Sequence, residues 1–488
     1  MESLMVYQKS RKQTEPAYDA VIVGSGPNGL AAGITLAQAG YRTLIIEAKD
    51  QIGGGARTQE LTLPGFKHDV CSAIHPLAVA SPFFRNLDLA KHGLEWIYSP
   101  LPLAHPRLKE SAILLHQNLS DMQTSLGRDF PAWERLFSPF ANRWPQLMSD
   151  VLGPLKMPAE PGQMLSLAMR SLWPAEWLCQ IAFREDRART LFAGLAAHSI
   201  MPLNRWLTSG IGMMLGILAH STAWPFPKGG AQSLVNALEK EFGSLGGLIQ
   251  VGWPITHLDE LPTSRVTLLD ITPRQFLGMA GDRVRELAKR RWSGYRYGPG
   301  VFKVDYALSA PIPWSDPACA KAACLHLGAN FAEIAQSERN MGAGTLSPTP
   351  FVLLAQHSLF DSTRAPSGCH TAWAYCHVPH GFPGDARALI DQQIERFAPG
   401  FKDIVLAAHE IGPTAMEKYN ANYIGGDING GMQDLWQMWT RPIAQLDPYA
   451  TPLPAVFLCS SSTPPGGGVH GMSGFYAAQS ALKILASV

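Results

Sequence analysis

Charge is scarce in this sequence. Asp, Glu, Lys and Arg make up 16% of its 488 residues, against about 25% in an average soluble domain. The shortage favours a chain with much interior, a large subunit interface or a face that meets lipid, and it excludes a disordered or supercharged one. Neither sign of charge is in excess: 40 Lys and Arg stand against 39 Asp and Glu. A net charge of +1 argues against nucleic acid as a partner, which wants a basic field. CxxC pairs are absent, and the seven cysteines, at 71, 179, 319, 324, 369, 376 and 459, are an odd number in a long chain. That argues against a disulfide framework or a zinc site and for a reducing compartment, here the cytoplasm. The segment MESLMVYQKSRKQTEP lacks the apolar core of a secretory signal, and no run of 18 apolar residues occurs. The nearest approach, residues 207–227, has no charged side chain but is broken by glycine, serine, histidine and proline. It reads as a buried helix, with an interfacial helix as the alternative. No metal-ligand cluster is present: His409-Glu410 lacks the second histidine of a zincin helix.

What is present begins with YDAVIV at 18–23, an apolar run of strand length ending in glycine, as expected of a parallel strand buried on both faces. A small-residue helix over 28–39, stopped by Gly40, and a second strand over 42–47 complete a βαβ unit. Further strands are expected at 248–251, 266–271, 302–308, 351–355, 371–378 and 455–459, and helices at 234–242 and 472–486. Between 130 and 225 the texture changes, with tryptophans at 133, 144, 173, 177, 206 and 224 between helical stretches. The alternation of α/β pieces with α+β insertions predicts a domain assembled from separated segments.

Three motifs carry chemistry. Gly24-Ser25-Gly26-Pro27-Asn28-Gly29 follows a predicted strand and opens a helix, and Glu47 ends the next strand, which is the context a dinucleotide fingerprint requires. Gly24 serves the turn, Gly26 lets the backbone approach a diphosphate, and Gly29 lets helix and strand pack. The helix N-terminus offers N–H groups to the anion. Glu47 would bind the adenosine ribose, and an acid there disfavours NADP. Next, Gly53-Gly54-Gly55-Ala56-Arg57 lies just past that acid, giving a second close approach to the diphosphate and an arginine to pair with it. A plain NAD dehydrogenase has no need of this loop, so FAD is the expected cofactor. Third, LCSSSTPPGGGVHG at 458–471 ends a buried strand in hydroxyl residues and leads into a last helix. The N-terminus of that helix would face a flavin and stabilise charge on its reduced form.

Together these motifs resemble the flavin amine oxidase and phytoene desaturase superfamily, nearest to its carotenoid-desaturase-like branch with the pyridine nucleotide-disulfide oxidoreductase domain 2 proteins. The likeness runs from YDAVIVGSGPNGLAAG through EAKDQIGGGART, PKGGAQSLVNAL, FKVDYAL, ERFAPGF and GGDINGG to the last motif, over residues 18–488. It implies an α/β fold, a Rossmann-like FAD domain of the glutathione reductase and amine oxidase type built from 18–80, 225–300 and 450–488. An α+β substrate domain, 81–224 and 301–449, is inserted, and 1–17 is a flexible tail. The cofactor-binding set it implies is Gly24, Gly26, Pro27, Asn28, Gly29, Glu47, Ala48, Gly54, Gly55, Ala56, Arg57, Ile255, Ser460, Ser461, Val469, His470, Gly471 and Met472. Ile255 would hold the adenine through its backbone. The implied reaction is FAD-dependent removal of hydride from a hydrophobic, carotenoid- or lipid-like substrate, with oxygen or a quinone taking the electrons. Double-bond isomerisation, amine oxidation and a low-turnover flavin scaffold are the alternatives. Ser460 stands where the family usually has glycine, and Pro464 where it often has histidine, which leaves the reaction more open than the cofactor.

No general base stands out. His75 and His470 are candidates beside the flavin, His198 reads as a core histidine more than a catalyst, and Cys71 and Cys459 read as buried thiols. The basic stretch 282–296 reads as a solvated helix face, with contact to anionic lipid as the alternative. A peripheral membrane contact and a homo-oligomer both stay open.

Overall fold

The computed structural model describes residues 17–487, so the tail expected over 1–17 lies, but for its last residue, outside the described residues. Five parallel strands form the first sheet, in the order Val456–Leu458, Ser264–Leu269, Tyr18–Val23, Thr43–Ile46, Leu248–Gln250. They come from three stretches far apart in sequence, as the α/β fold assembled from separated segments requires. In the strands Tyr18–Val23 and Thr43–Ile46, Ala20 and Ile22 pack under helices on one side, and Val21, Leu44 and Ile46 close the other. A strand covered on both faces must be apolar throughout, which is why YDAVIV and TLII belong at the centre.

The helix Pro27–Gln38 crosses back over this sheet, with Pro27 at its first turn, where a missing N–H costs nothing. The C-terminal helix, Met472–Leu485, lies against it at the closest spacing two backbones allow. A Cβ on Gly474 would sit 1.8 Å from the carbonyl oxygen of Asn28.

The second sheet has seven strands in the order Val405–Ile411, Gly300–Leu308, His370–Val378, Val352–Ala355, Cys324–Leu327, Leu103–His105, Ile113–Leu115. All its pairings are antiparallel except that of Leu325 with Ala104. Its core, which includes Val304, Tyr306, Leu354 and Cys376, packs against the helix Arg387–Phe397 through Ile390 and Ile394. The Trp-rich region forms successive helices from Phe130–Ala141 to Thr208–Ser221. Residues 207–227 give the buried helix Thr208–Ser221. At its centre the ring of Trp133 packs on Phe137, Phe183 and Phe192, and its Nε1 donates to His220 Nε2 at 2.8 Å. The basic stretch contains the short helix Glu286–Ser293, held by buried Trp292 with Arg290 and Arg291 outside. No described helix is long and apolar enough to cross a membrane.

Candidate active site

At the carboxyl ends of the parallel strands lies a cavity of about 560 Å³, the place where open α/β sheets bind ligands. It has two halves. The groove half is built from Gly24–Asn28, Glu47–Lys49, Gly54–Arg57, the Trp253–Ile255 turn, Asp270–Thr272 and Ser460–Ser462. The chamber half is walled by Ile74, His75, Ile200, Leu215, Trp224, Leu353, Trp373 and Tyr375, together with His198 and Cys324.

The groove is shaped by backbone. Gly24 has φ +102°, and a Cβ on Gly29 would stand 2.0 Å from the Gly24 carbonyl oxygen, so the turn closes only with glycine at both positions. The N-cap residue of the helix Pro27–Gln38, Gly26, has no side chain and the first turn carries no acid. Asp270 takes the Gly29 N–H from below, which leaves the Asn28 N–H and the upper side of the helix end to whatever enters the groove. Asn28 Oδ1 is buried without a partner among the described residues. Glu47, 6% exposed, accepts from Ser25 N at 3.1 Å, Ser25 Oγ at 2.6 Å and Lys49 N at 3.0 Å. Its other partner is Arg57 Nη2 at 3.2 Å.

Of the residues singled out in the sequence, Gly24, Gly26, Pro27, Asn28, Glu47, Ala48, Gly54, Gly55, Ala56, Arg57, Ile255, Ser460, Ser461 and Val469 line this cavity, as does His75. Four do not. Gly29 lies beneath the turn, its N–H given to Asp270 Oδ2 at 3.2 Å. His470, expected to face the flavin, is fully buried and turns back on its own helix: Nδ1 accepts from Met472 N at 3.0 Å, and its carbonyl accepts from Ser81 Oγ. Gly471 and Met472 are held behind the wall with it. The reason is local: the uncapped start of the Met472–Leu485 helix needs an acceptor, and the imidazole supplies one. Burial pushes the His470 pKa down to about 4, so it is neutral. His75 is neutral for the same reason, its pKa lowered to about 4 by burial, and its Nε2 lies 2.9 Å from Ser72 Oγ.

Two side chains are committed elsewhere than expected. Arg57 is fixed by Glu47 and by the Gln51 carbonyl at 2.9 Å, with its guanidinium 5.5 Å from the Tyr419 ring centroid. Ser460 Oγ donates to the Ile271 carbonyl at 2.7 Å, tying the last parallel strand to its neighbour.

Sequence reasoning misses Asp270. It follows the strand Ser264–Leu269, next to Tyr18–Val23 in the sheet, and its carboxyl lies under Gly26 and Gly29. Burial raises its pKa to about 7; the Gly29 N–H opposes that and the charge of Glu47 adds to it. Its position at a strand's carboxyl end, ahead of Thr272-Pro273, is a readable signal. The aromatic wall is missed too: Tyr419, Tyr423, Trp373 and Tyr375 come from segments no local pattern connects. Among the described residues no group of His, Cys, Asp or Glu is arranged to hold a metal.

Residues 22–87 match the model of an NAD(P)-binding Rossmann-like domain. Over 95% of this chain and 93% of its own length, the Rattus norvegicus protein called pyridine nucleotide-disulfide oxidoreductase domain-containing protein 2 is 26% identical. Hydroxyneurosporene desaturase of Cereibacter sphaeroides is 23% identical, covering 96% of this chain and 98% of that protein. Among solved structures, putrescine oxidase bound to putrescine superposes with a TM-score of 0.60 at 16% identity, over 96% of this chain and 99% of that one, a likeness of fold.

Proposed function

From a chain that fits the flavin amine oxidase and carotenoid desaturase superfamily as a flavin-type oxidoreductase, we propose that it binds FAD and dehydrogenates a long apolar substrate. The observation that carries this reading is continuity: a groove built for a dinucleotide opens directly into an apolar, aromatic chamber within one cavity. The residues present fit the cofactor. The glycine turn, which no Cβ could enter, and the helix end behind it would take the diphosphate, together with the adjoining Gly54 and Gly55. Glu47 already accepts from Ser25, Lys49 and Arg57, so a ribose hydroxyl would take the place of one of these donors, the Ser25 hydroxyl. Ile255 offers backbone to the adenine, and Ser460, Ser461 and Val469 border the space left for the isoalloxazine.

Flavin, when bound, supplies the hydride acceptor. The chain's own part is to hold an apolar molecule against it and keep water out. Ile200, Leu215, Trp224 and Leu353 supply the apolar surface for this. The name of the desaturase relative supports a carotenoid- or lipid-like substrate. No second nicotinamide motif occurs, which leaves oxygen or a quinone as electron acceptor.

Amine oxidation is the second reading, favoured by Tyr419 and Tyr423, whose rings could flank an amine. Against it, the only carboxylates lining the cavity among the described residues are Glu47 and Asp270. Both stand in the groove, so nothing described in the chamber draws in an alkylammonium. The test is direct. Purified protein should absorb near about 450 nm and release FAD on denaturation. Anaerobic mixing with an apolar polyene should bleach that band and yield a product two hydrogens poorer. Product without lasting bleaching would indicate isomerisation, and a colourless protein that cannot be reconstituted with FAD would overturn the proposal.

A further inference from the structure

The chamber wall carries a pair of histidines that dehydrogenation of a pure hydrocarbon does not use. His198, just past the helix Asp186–Ala197, lines the cavity and retains accessible surface. Its Nε2 lies 2.9 Å from Nε2 of His326, whose side chain is fully buried on the strand Cys324–Leu327. Two imidazole nitrogens at that distance share one hydrogen: one ring donates and the other accepts.

Packing decides which. His326 Nδ1 is buried with no partner among the described residues, and it abuts the preceding helix so closely that a Cβ on Gly194 would come within 2.7 Å of it. A bare lone pair there is tolerable, whereas an N–H facing that backbone would be a buried donor without an acceptor. His326 therefore carries its proton on Nε2 and donates it to His198 Nε2. The neighbouring His105 follows the same rule: its Nε2 bonds to the Gly328 carbonyl at 2.7 Å, and its Nδ1 is left unpaired among the described residues.

With Nε2 accepting, neutral His198 must hold its own proton on Nδ1. Neutrality is enforced from all sides. Burial first, then the repulsion of His377, lowers the His198 pKa to about 3; burial and the repulsion of His198, His105 and His377 lower that of His326 far below its usual value. Glu338, the acid in this cluster, is occupied by His377 Nδ1 at 2.9 Å. The other titratable groups on this wall are Cys324 and Tyr375, whose pKa values burial raises.

We infer that the His198–His326 pair is a specificity element that presents one fixed N–H donor to the chamber, so that the substrate is a long apolar molecule bearing an oxygen acceptor, a carbonyl or hydroxyl, rather than a hydrocarbon. This rests on the chamber being the substrate site of the proposed dehydrogenase. His198 is the contacting residue and His326 the positioning one. An isostere lacking the oxygen leaves the His198 N–H unpaired, and sites built around such a bond discriminate strongly against the analogue without it.

The experiment uses 2-tridecanone, carbonyl-labelled with carbon-13, and tridecane, each equilibrated with the full-length protein as purified and its flavin content recorded. Dialysis gives the affinities, and isotope-edited infrared spectra give the carbonyl stretch of bound ketone. In the wild type the stretch should lie below its position in hexane. His198→Phe should return it to the hexane position and weaken ketone binding by about tenfold, the loss of one buried hydrogen bond, with tridecane unaffected. His198→Gln, which restores a donor, should recover part of both effects. A wild-type carbonyl band at the hexane position overturns the inference, and that reading needs no variant to fold. Equal ketone affinity in wild type and His198→Phe also overturns it. Binding of neither compound overturns the substrate reading of the chamber as well, whereas a protein free of flavin overturns the cofactor proposal and leaves the infrared result to judge the histidine pair.

Discussion

Asp270 places a second carboxyl beside the phosphate turn, and its raised pKa of about 7 makes that turn sensitive to pH. An unfolded Asp titrates near about 3.9. Between those values the native state holds a proton that the unfolded state has released, so this group lowers stability as pH rises from about 4 to 7 and no further above that. The full penalty is on the order of a few kcal/mol, since each tenfold change in proton affinity is worth about 1.4 kcal/mol. Asp270→Asn keeps an acceptor for the Gly29 N–H and removes the charge. Its Tm should match the wild type near pH 4 to 5 and exceed it at pH 8; thermal melts across that range decide, and a constant difference would mean that Asp270 does not titrate there. A bound diphosphate adds negative charge beside the same carboxyl, so wild-type flavin retention should fall as pH passes 7 while that of Asp270→Asn stays level. At Glu47 the useful variant is Glu47→Gln. Glu47→Ala would leave the Arg57 Nη2, on a side chain 4% exposed, with neither counter-charge nor acceptor at this place, whereas glutamine keeps an acceptor oxygen for it. Glu47→Gln should weaken FAD binding by about 1.5–3 kcal/mol, the worth of hydrogen bonds to a charged acceptor, with the fold intact by circular dichroism. Unchanged affinity would place the ribose elsewhere.

The pairing of the first and last helices is the element-scale counterpart of that turn. Gly474 touches the Asn28 carbonyl, so Gly474→Ala must push the Met472–Leu485 helix off the helix that starts at the phosphate turn. Overpacking of this kind costs about 1–3 kcal/mol; a loss of stability in that range is expected on chemical denaturation, together with weaker flavin retention. Gly243→Ala, where nothing lies within 4 Å, is the control and should be neutral or stabilising. Elements like these are legible in the sequence because their physics is local. A strand buried on both faces is an uninterrupted apolar run, so Tyr18–Val23, Thr43–Ile46 and Val456–Leu458 are readable, and a helix that receives an anion announces itself in glycines. The strands Leu103–His105, Ile113–Leu115 and Cys324–Leu327, at three and four residues, are too short to show a period and exist because their partners do. The chamber is illegible for the same reason. His198 reads as one more residue on an apolar helix until His326, 128 positions away, is set beside it. His470 misleads because the stretch holding it has a flavin-facing pattern, while its ring answers the nearer demand of an uncapped amide.

For the whole molecule, the scarcity of charge shows in a patch of clustered tryptophans on the surface. Trp173, Trp177 and Trp206 lie exposed with ring centroids 5.7–6.5 Å apart, and Leu165 and Met169 on the helix Pro161–Ser171 and Ile181 on the helix Ala175–Ala182 are each more than 60% exposed. A cluster of that size marks a contact. We propose lipid as the occupant. Three tryptophans suit the boundary between headgroups and acyl chains, Arg205 stands exposed beside Trp206, and the nearby acid Glu176 is tied to Arg339 at 3.1 Å. The patch also leads inward. The Ser209 N–H donates to the Trp173 carbonyl, and the helix Thr208–Ser221 runs from there to Leu215 in the chamber wall, about 10 Å along its axis at about 1.5 Å per residue. An apolar substrate entering at this end would leave the membrane without crossing water. Replacing the three tryptophans by serine should therefore abolish co-flotation with vesicles containing anionic lipid and slow transfer of an apolar ligand out of them. Flavin content should hold, because the groove lies on other elements. If the wild type does not float, and sedimentation shows instead a dimer that the same substitutions dissociate, the patch is covered by a second copy of the chain and the substrate enters elsewhere.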